Sequence, residues 1–350
     1  MARLIFWRVA RTALAVWALA SAVFLLTHRD GGAAVRLALS DAPEVGTAYP
    51  DRQPAVLQAM RQRMGFDLPL FYVGLGAGPR AREWRWNGPA NQYHRWASGL
   101  LRGDLGTSYR TGEAVGARLR TALAYTLPLT ATAAVLAVLA ALALAQRLAA
   151  GPRWQGLVRT ALTVGHALPL FVLAVGLLLL FANPEALAWF PAYGLELPGE
   201  AEADLWSRSG TYALHLVLPV AALVLAALPE LVLQLEAALA QELRAAYATT
   251  ARAKGLSERA VVRRHALRNA LLPSLAQVAE LLPALVAGAV VVEVVFALPG
   301  MGRLLAAAAA ARDYPVLVGG VLLTGGARLL ALLVADLLFL WADPRIRWQA

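Results

Sequence analysis

Several uninterrupted apolar stretches, each longer than the ~18 residues that can cross a bilayer, constrain this chain more than any other feature. They are Ala124–Gln146, Thr160–Ala182, Tyr212–Leu233, Ser274–Ala297 and Val316–Trp341, and a shorter run covers Thr12–Thr27. The 350 residues are 59% hydrophobic and 15% charged, whereas soluble domains run near ~45–50% and ~25%. A soluble core of this length has no room for so much apolar surface. The pattern predicts an all-α integral membrane protein with six transmembrane helices.

The first run follows the Arg-bearing stretch MARLIFWRVAR. The small residues Ala20–Ala22 suggest a signal-peptide cleavage site, but the apolar run continues past them and an uncleaved first span is expected. Residues 1–27 are therefore read as the N-terminus and first span. Residues 28–123 are a long polar segment with 13 Arg and 8 acidic residues, predicted to form loops and short helices around a small aromatic core. Residues 124–350 then carry the remaining five spans. The loop at 147–159 holds three Arg and no acid, whereas Asn183–Gly210 holds five acids and one Arg. By the positive-inside rule the first loop is cytoplasmic and the second lies outside. Both termini are then cytoplasmic, the 28–123 segment is extracytoplasmic, and long translocated segments are exempt from the rule.

The chain has few means of catalysis. It has no Cys, so disulfides and thiolate metal sites are excluded. Lys254, the single lysine, lies between Ala253 and Gly255, so there is no P-loop lysine to reach a nucleotide's phosphates. No nucleophile elbow or zinc-protease pair is present. The five His (28, 94, 166, 215 and 265) lack ligand spacing, and no cofactor is expected. The net charge of +10 has no interleaved aromatics and does not indicate nucleic acid. Within or near the spans are Glu230, Glu280, Glu293 and Asp336. Intramembrane acids cost ~2.5–3.5 kcal/mol each, so each raises a functional question. Glu293 and Asp336, deep in apolar runs, allow a proton relay in a stand-alone secondary transporter. Alternatively, the acids face a wet cavity or bond to neighbouring helices. Prolines 128, 169, 219, 229 and 283 predict kinks.

One island stands apart. The stretch TARAKGLSERAVVRRHALRNALLPSL, Thr250–Leu275, carries six basic residues and then re-enters the membrane. Gly255 stops a first helix, Ser257 is placed to cap a second, and Glu258 suits the second helix's first turn. Val261, Val262 and His265 approximate one face, with Arg259, Arg263 and Arg264 spread over the rest. Charge alone would serve to anchor the island on anionic lipid. A jointed pair of helices with small residues suits docking into a groove on a partner protein.

The island resembles the cytoplasmic coupling loop of permease subunits from dipeptide, oligopeptide and nickel importers driven by ATP-binding cassettes. Leu100–Leu119, Gly288–Leu305, Ala311–Leu317 and Asp343–Arg347 resemble the first permease of that family, in the same order along nearly the whole chain. The resemblance implies a bacterial inner-membrane subunit that forms half of a substrate pathway. Its implied partners are a second homologous permease, two ATPase subunits and an extracytoplasmic solute-binding protein. It also implies that Ala251, Arg252, Ala253, Lys254, Gly255 and Leu256 dock on an ATPase, within a loop of about 244–272. His265, Arg268 and Asn269 would fix the loop's second helix. Peptides are the leading cargo, although similar permeases handle nickel chelates, opines and short sugars. The chain departs from the family at Ala246, Tyr247 and Thr249, where an Asp-Tyr pair and an Arg are usual, and at Glu236, where a basic residue is common. Phe71–Gln92 resembles an insertion, expected outside, where it would contact the binding protein or cap the pathway.

Overall fold

In the computed structural model, residues 2–28, 58–59, 61–62, 66–75, 84–151, 153–192 and 205–342 are described. The Asp343–Arg347 motif lies outside them. The chain divides into two compact units, Met1–Ala122 with Leu304–Ala327, and Leu123–Arg303 with Arg328–Ala350.

The first unit contains α1 (Ala2–His28), a two-stranded antiparallel hairpin β1 (Val73–Leu75) and β2 (Trp84–Trp86), and α2 (Gln92–Leu101). The expected aromatic core is present. Phe24 of α1 stacks on Trp96 with centroids 4.7 Å apart and meets Tyr93 edge-on, while the Ser21 hydroxyl lies 2.7 Å from the Tyr93 phenol. Asn91 caps α2 by accepting from the His94 N–H. The hairpin was not anticipated, and it changes which aromatics are buried. All three residues of β2 are exposed, Trp84 and Trp86 at 76% and 70%. Trp86 stacks on Tyr72, with centroids 5.9 Å apart.

Long helices make up the rest: α3 (Val115–Ala149), α4 (Gln155–Ala167), α5 (Leu170–Phe181) and α6 (Leu205–Glu242). They continue through α7 (Ala246–Ala253), α8 (Glu258–Val261), a π-helical turn (Val262–Ala266) and α9 (Leu267–Val295). The last two are α10 (Met301–Ala310) and α11 (Tyr314–Ala342). Four helices among the described residues are long and apolar enough to cross a membrane, or five if α4 and α5 form one span. The chain is thus an all-α membrane protein, apart from the small hairpin. In the third apolar run, the kink expected at Pro169 is a full break between two helices: Leu168 is extended, Pro169 stands at the N-cap of α5, and the axes bend by 105°. A proline forces its predecessor out of the helical region and supplies no N–H, so the ladder cannot pass through.

In the second unit, α6 packs along α4, α5 and α9. The core includes Ala133, Ala137, Ala141 and Ala145, four small residues at a spacing of four on one face of α3, all buried. Such a stripe permits the close backbone approach on which helix association in lipid depends. Gly288 of α9 works similarly, since a Cβ there would meet Leu170 and Leu223 at 3.0 and 3.1 Å.

The end of α9 is tied to the start of α10 by a buried acid. Glu293, 1% exposed, accepts from the Thr126 hydroxyl at 2.6 Å and from the N–H groups of Gly302 (2.6 Å) and Arg303 (3.2 Å). These are orphan donors of α10's first turn, and the positive end of the helix dipole faces the acid. Thr126 also accepts from the Met301 N–H at 2.8 Å. A Cβ on Gly300 would overlap the Glu293 carboxyl group, and one on Gly302 would overlap Val290. Both glycines are required by proximity. Glu293→Leu leaves these donors unsatisfied, at about 1–3 kcal/mol each. It is therefore expected to lower the melting temperature in detergent more than Glu293→Gln, which keeps one acceptor; equal losses would contradict the clamp.

Candidate functional site

The island folds as a compact elbow. Helix α7 ends at Ala253, and Gly255 follows at φ +83°, a left-handed conformation that glycine adopts without strain. The Gly255 N–H returns to the Arg252 carbonyl at 2.9 Å and the Leu256 N–H to that of Ala251 at 3.3 Å. Ala248 and Ala251 of α7 bury against Val261 of α8, with Leu243, Tyr247 and Leu256 at the margin. Arg252 reaches across the joint, donating to Glu258 from Nε at 2.5 Å and to the Leu243 carbonyl at 3.0 Å. Ser257 stands at the N-cap position but makes no side-chain cap bond.

The elbow is connected to both long helices. Helix α8, the π turn and α9 run without interruption, so the elbow's second arm is the start of α9. On the other side, Asn269 donates to Glu242 Oε2 at 3.3 Å, and the Tyr247 hydroxyl donates to the same oxygen at 2.5 Å. Burial and the Glu242 hydrogen bond hold the Tyr247 phenol above its ordinary value. That phenol therefore stays a donor throughout the physiological range. Through Glu242, the end of α6 is fastened to the start of α9.

The expected docking residues divide into two groups. Ala253, Lys254 and Gly255 are exposed at the joint, Leu256 is half-buried, and His265, Arg268 and Asn269 are exposed along the second arm. Ala251, at 5% exposure, faces inward and shapes the elbow instead of presenting a surface. Arg252 is occupied in bracing the joint. Of the second-arm residues Asn269 has a bracing partner among the described residues, in Glu242 and Tyr247. His265 leaves the face assigned to it with Val261 and Val262. The π turn spreads one turn over an extra residue, which brings Ala266 inward and leaves His265 out.

Two ion pairs were not legible in the sequence. Glu236, 4% exposed, is gripped by Arg159 Nε at 2.9 and 3.1 Å and by Gln155 at 3.0 Å, joining α6 to α4. The acid here is matched by Arg159 opposite. In the first unit, Asp313 accepts from the Tyr109 N–H at 3.0 Å, from the Ser108 hydroxyl and from Arg118 at 3.4 Å. This joins the Leu100–Leu119 and Ala311–Leu317 motifs. Burial, aided by Asp313 and Tyr314, pushes the Tyr109 phenol well above its ordinary range.

Glu293, with both oxygens engaged and its side chain closed from water, is a structural clamp and not a relay. The side chain of Asp336 lies outside the described ones. Glu230 and Glu280 line a groove together with Gln277 and Arg328.

Residues 133–348 match the family described as binding-protein-dependent transport system inner membrane component. The chain belongs to that family. It is 32% identical to the probable D,D-dipeptide transport system permease protein DdpB of Escherichia coli K12, over 97% of this chain and 98% of that one. It is 34% identical to the di/tripeptide transport system permease protein DppB of Pseudomonas aeruginosa UCBPP-PA14, with 91% and 93% covered. It is 32% identical to the glutathione transport system permease protein GsiC of E. coli K12, with 93% of each covered. It is thus an inner-membrane transport component with several spans, belonging to an importer that works with a binding protein.

Removing Arg159 strands a buried carboxylate. Breaking such a pair costs about 3–5 kcal/mol, and the half-exposed Arg159 places this one near the lower end. Arg159→Leu is expected to lower thermal stability in detergent, and adding Glu236→Leu to recover most of the loss. Additive losses in the double variant would contradict the pairing.

Proposed function

We propose that this chain is one of two homologous permease subunits enclosing a peptide pathway, with two separate ATPase subunits hydrolysing ATP and a solute-binding protein delivering cargo outside. Six spans with both termini cytoplasmic put the elbow on the ATPase side. Arg153, Arg159 and the island's basic residues support that orientation. Peptide cargo is supported by the names of the relatives, which concern dipeptides, di- and tripeptides and glutathione.

The observation that carries the reading is the elbow's construction. An anchor on lipid needs only charge, whereas this segment is braced internally, jointed at a left-handed glycine and continuous with α9. A partner that grips Ala253–Leu256 therefore moves α6 and α9 together, and closure of the ATPases on nucleotide is transmitted to the pathway. A proton-coupled carrier acting alone finds no support in Glu293, whose hydrogen-bonding capacity is committed to α10.

Co-purification tests this. With its genomic neighbours co-expressed, the tagged wild-type chain is expected to bring down ATPase subunits. A Gly255→Trp, Lys254→Glu variant that still purifies as a folded, monodisperse chain is expected to lose them, since strain and bulk at the left-handed joint alter the docking surface. ATPases that follow both chains equally, or neither, would reduce the elbow to a lipid anchor.

A further inference from the structure

The groove in the second unit has a composition that lipid does not accept. It has a volume of about 520 Å³, within the range of small-molecule sites. Its polar lining is Glu230 from α6, Gln277 and Glu280 from α9, and Arg328 from α11. Glu230, Glu280 and Arg328 are exposed in the chain and Gln277 is half-buried. Among the described residues neither Glu280 nor Arg328 has a hydrogen-bond or ion-pair partner, and Glu230 has only a long contact of 3.4 Å from Gln234. Glu230 sits near the end of the Tyr212–Leu233 run, whereas Glu280 lies about 9 Å into the run that begins at Ser274 and Arg328 about 18 Å into the one that begins at Val316, at ~1.5 Å per residue. Charged groups at such depth face the interior of a bundle or a water-filled cavity, and they mark substrate pathways.

The remaining lining narrows the ligand. On α6, Leu223, Ala226, Ala227 and Glu230 recur at helical spacing, and on α9 Gln277, Glu280, Ala284 and Gly288 do the same. Each charged end thus continues into a stripe of small residues that provides room without polar demands. A proton or bare cation would need the acids but not the arginine or the volume. An anion would need Arg328 but not two acids. Charges of both signs, an amide and an undemanding floor in one groove fit a zwitterion with variable side chains.

Resting on the importer reading above, we propose that this groove is a section of the translocation pathway that holds a peptide by its ends. The ammonium group sits at Glu230 and Glu280, the carboxylate pairs with Arg328, and the Gln277 amide bonds the peptide backbone. The groove reads the ends, which all peptides share, and leaves side-chain selection to other parts of the importer.

The chain has no native cysteine, so a single thiol reports on the groove. Ala284→Cys is placed in the full importer with cysteine-free partners and reconstituted in liposomes. Ala226→Cys, on the opposite wall, serves if the first variant does not assemble. During ATP turnover with binding protein and trialanine as probe, the thiol is expected to react with water-borne methanethiosulfonates. The cationic ethylammonium reagent should exceed the anionic ethylsulfonate by roughly tenfold after correction for intrinsic reactivity, as expected of a cleft lined by acids. Glu230→Gln with Glu280→Gln should abolish that preference. Trialanine should slow the labelling, and Glu280→Gln or Arg328→Gln should each remove this protection in importers that still assemble with their ATPase subunits. A silent thiol, a preference indifferent to the acids, or protection unaltered by these variants would overturn the groove assignment alone, whereas an assembled importer that does not take up trialanine would overturn the peptide cargo with it. Failure of the wild-type chain to assemble with ATPases would overturn the importer reading on which it rests.

Discussion

A carboxyl group sealed from water sets the end of α9. Glu293 closes the first turn of α10 by accepting from two backbone donors and from Thr126, which in turn accepts from Met301. Three separate parts of the chain therefore meet at one side chain: the first half of α3, the end of α9 and the start of α10. Gly300 and Gly302 are conditions of this meeting, because a methyl group at either would occupy the space of the carboxyl or of Val290. A clamp of this kind fixes α9 at one end, so displacement applied at its other end is carried along the helix instead of being lost at a loose terminus.

That other end is the elbow. The same economy recurs there, with Glu242 serving Tyr247 and Asn269 together and Arg252 spanning the joint. Helix α9 is thus held near both ends by carboxyl groups that are fully used for structure, while the acids between them, Glu230 from α6 and Glu280 on α9 itself, are left for the groove. This division separates the acids that hold the permease together from those that meet solute.

Much of this could be read in the residues. Long apolar runs mark the helices, because a membrane offers the backbone no other solution. The stop at Gly255 and the restart at Ser257 follow from local rules, and both are found. Less legible features depend on partners distant in sequence. Nothing near Glu236 announces Arg159, and nothing near Ser108 announces Asp313. The break at Leu168–Pro169 was visible only as a possible kink, since hydropathy continues across it. The π turn has no sequence signature, and it alone accounts for the outward position of His265. The hairpin at Trp84–Trp86 escaped because three-residue strands are too short for periodicity to register.

The central claim is that the elbow is a rigid handle gripped by an ATPase. Hydrogen exchange of backbone amides in detergent tests it most directly, comparing the chain alone with the chain assembled with its ATPase subunits. Protection is expected to rise at 253–258 on assembly, where Ala253, Lys254 and Gly255 are exposed in the chain alone. The amides of Val261–Ala266, already buried or helical, should change little. Unchanged exchange across 253–258 in a complex that contains the ATPases would contradict the account.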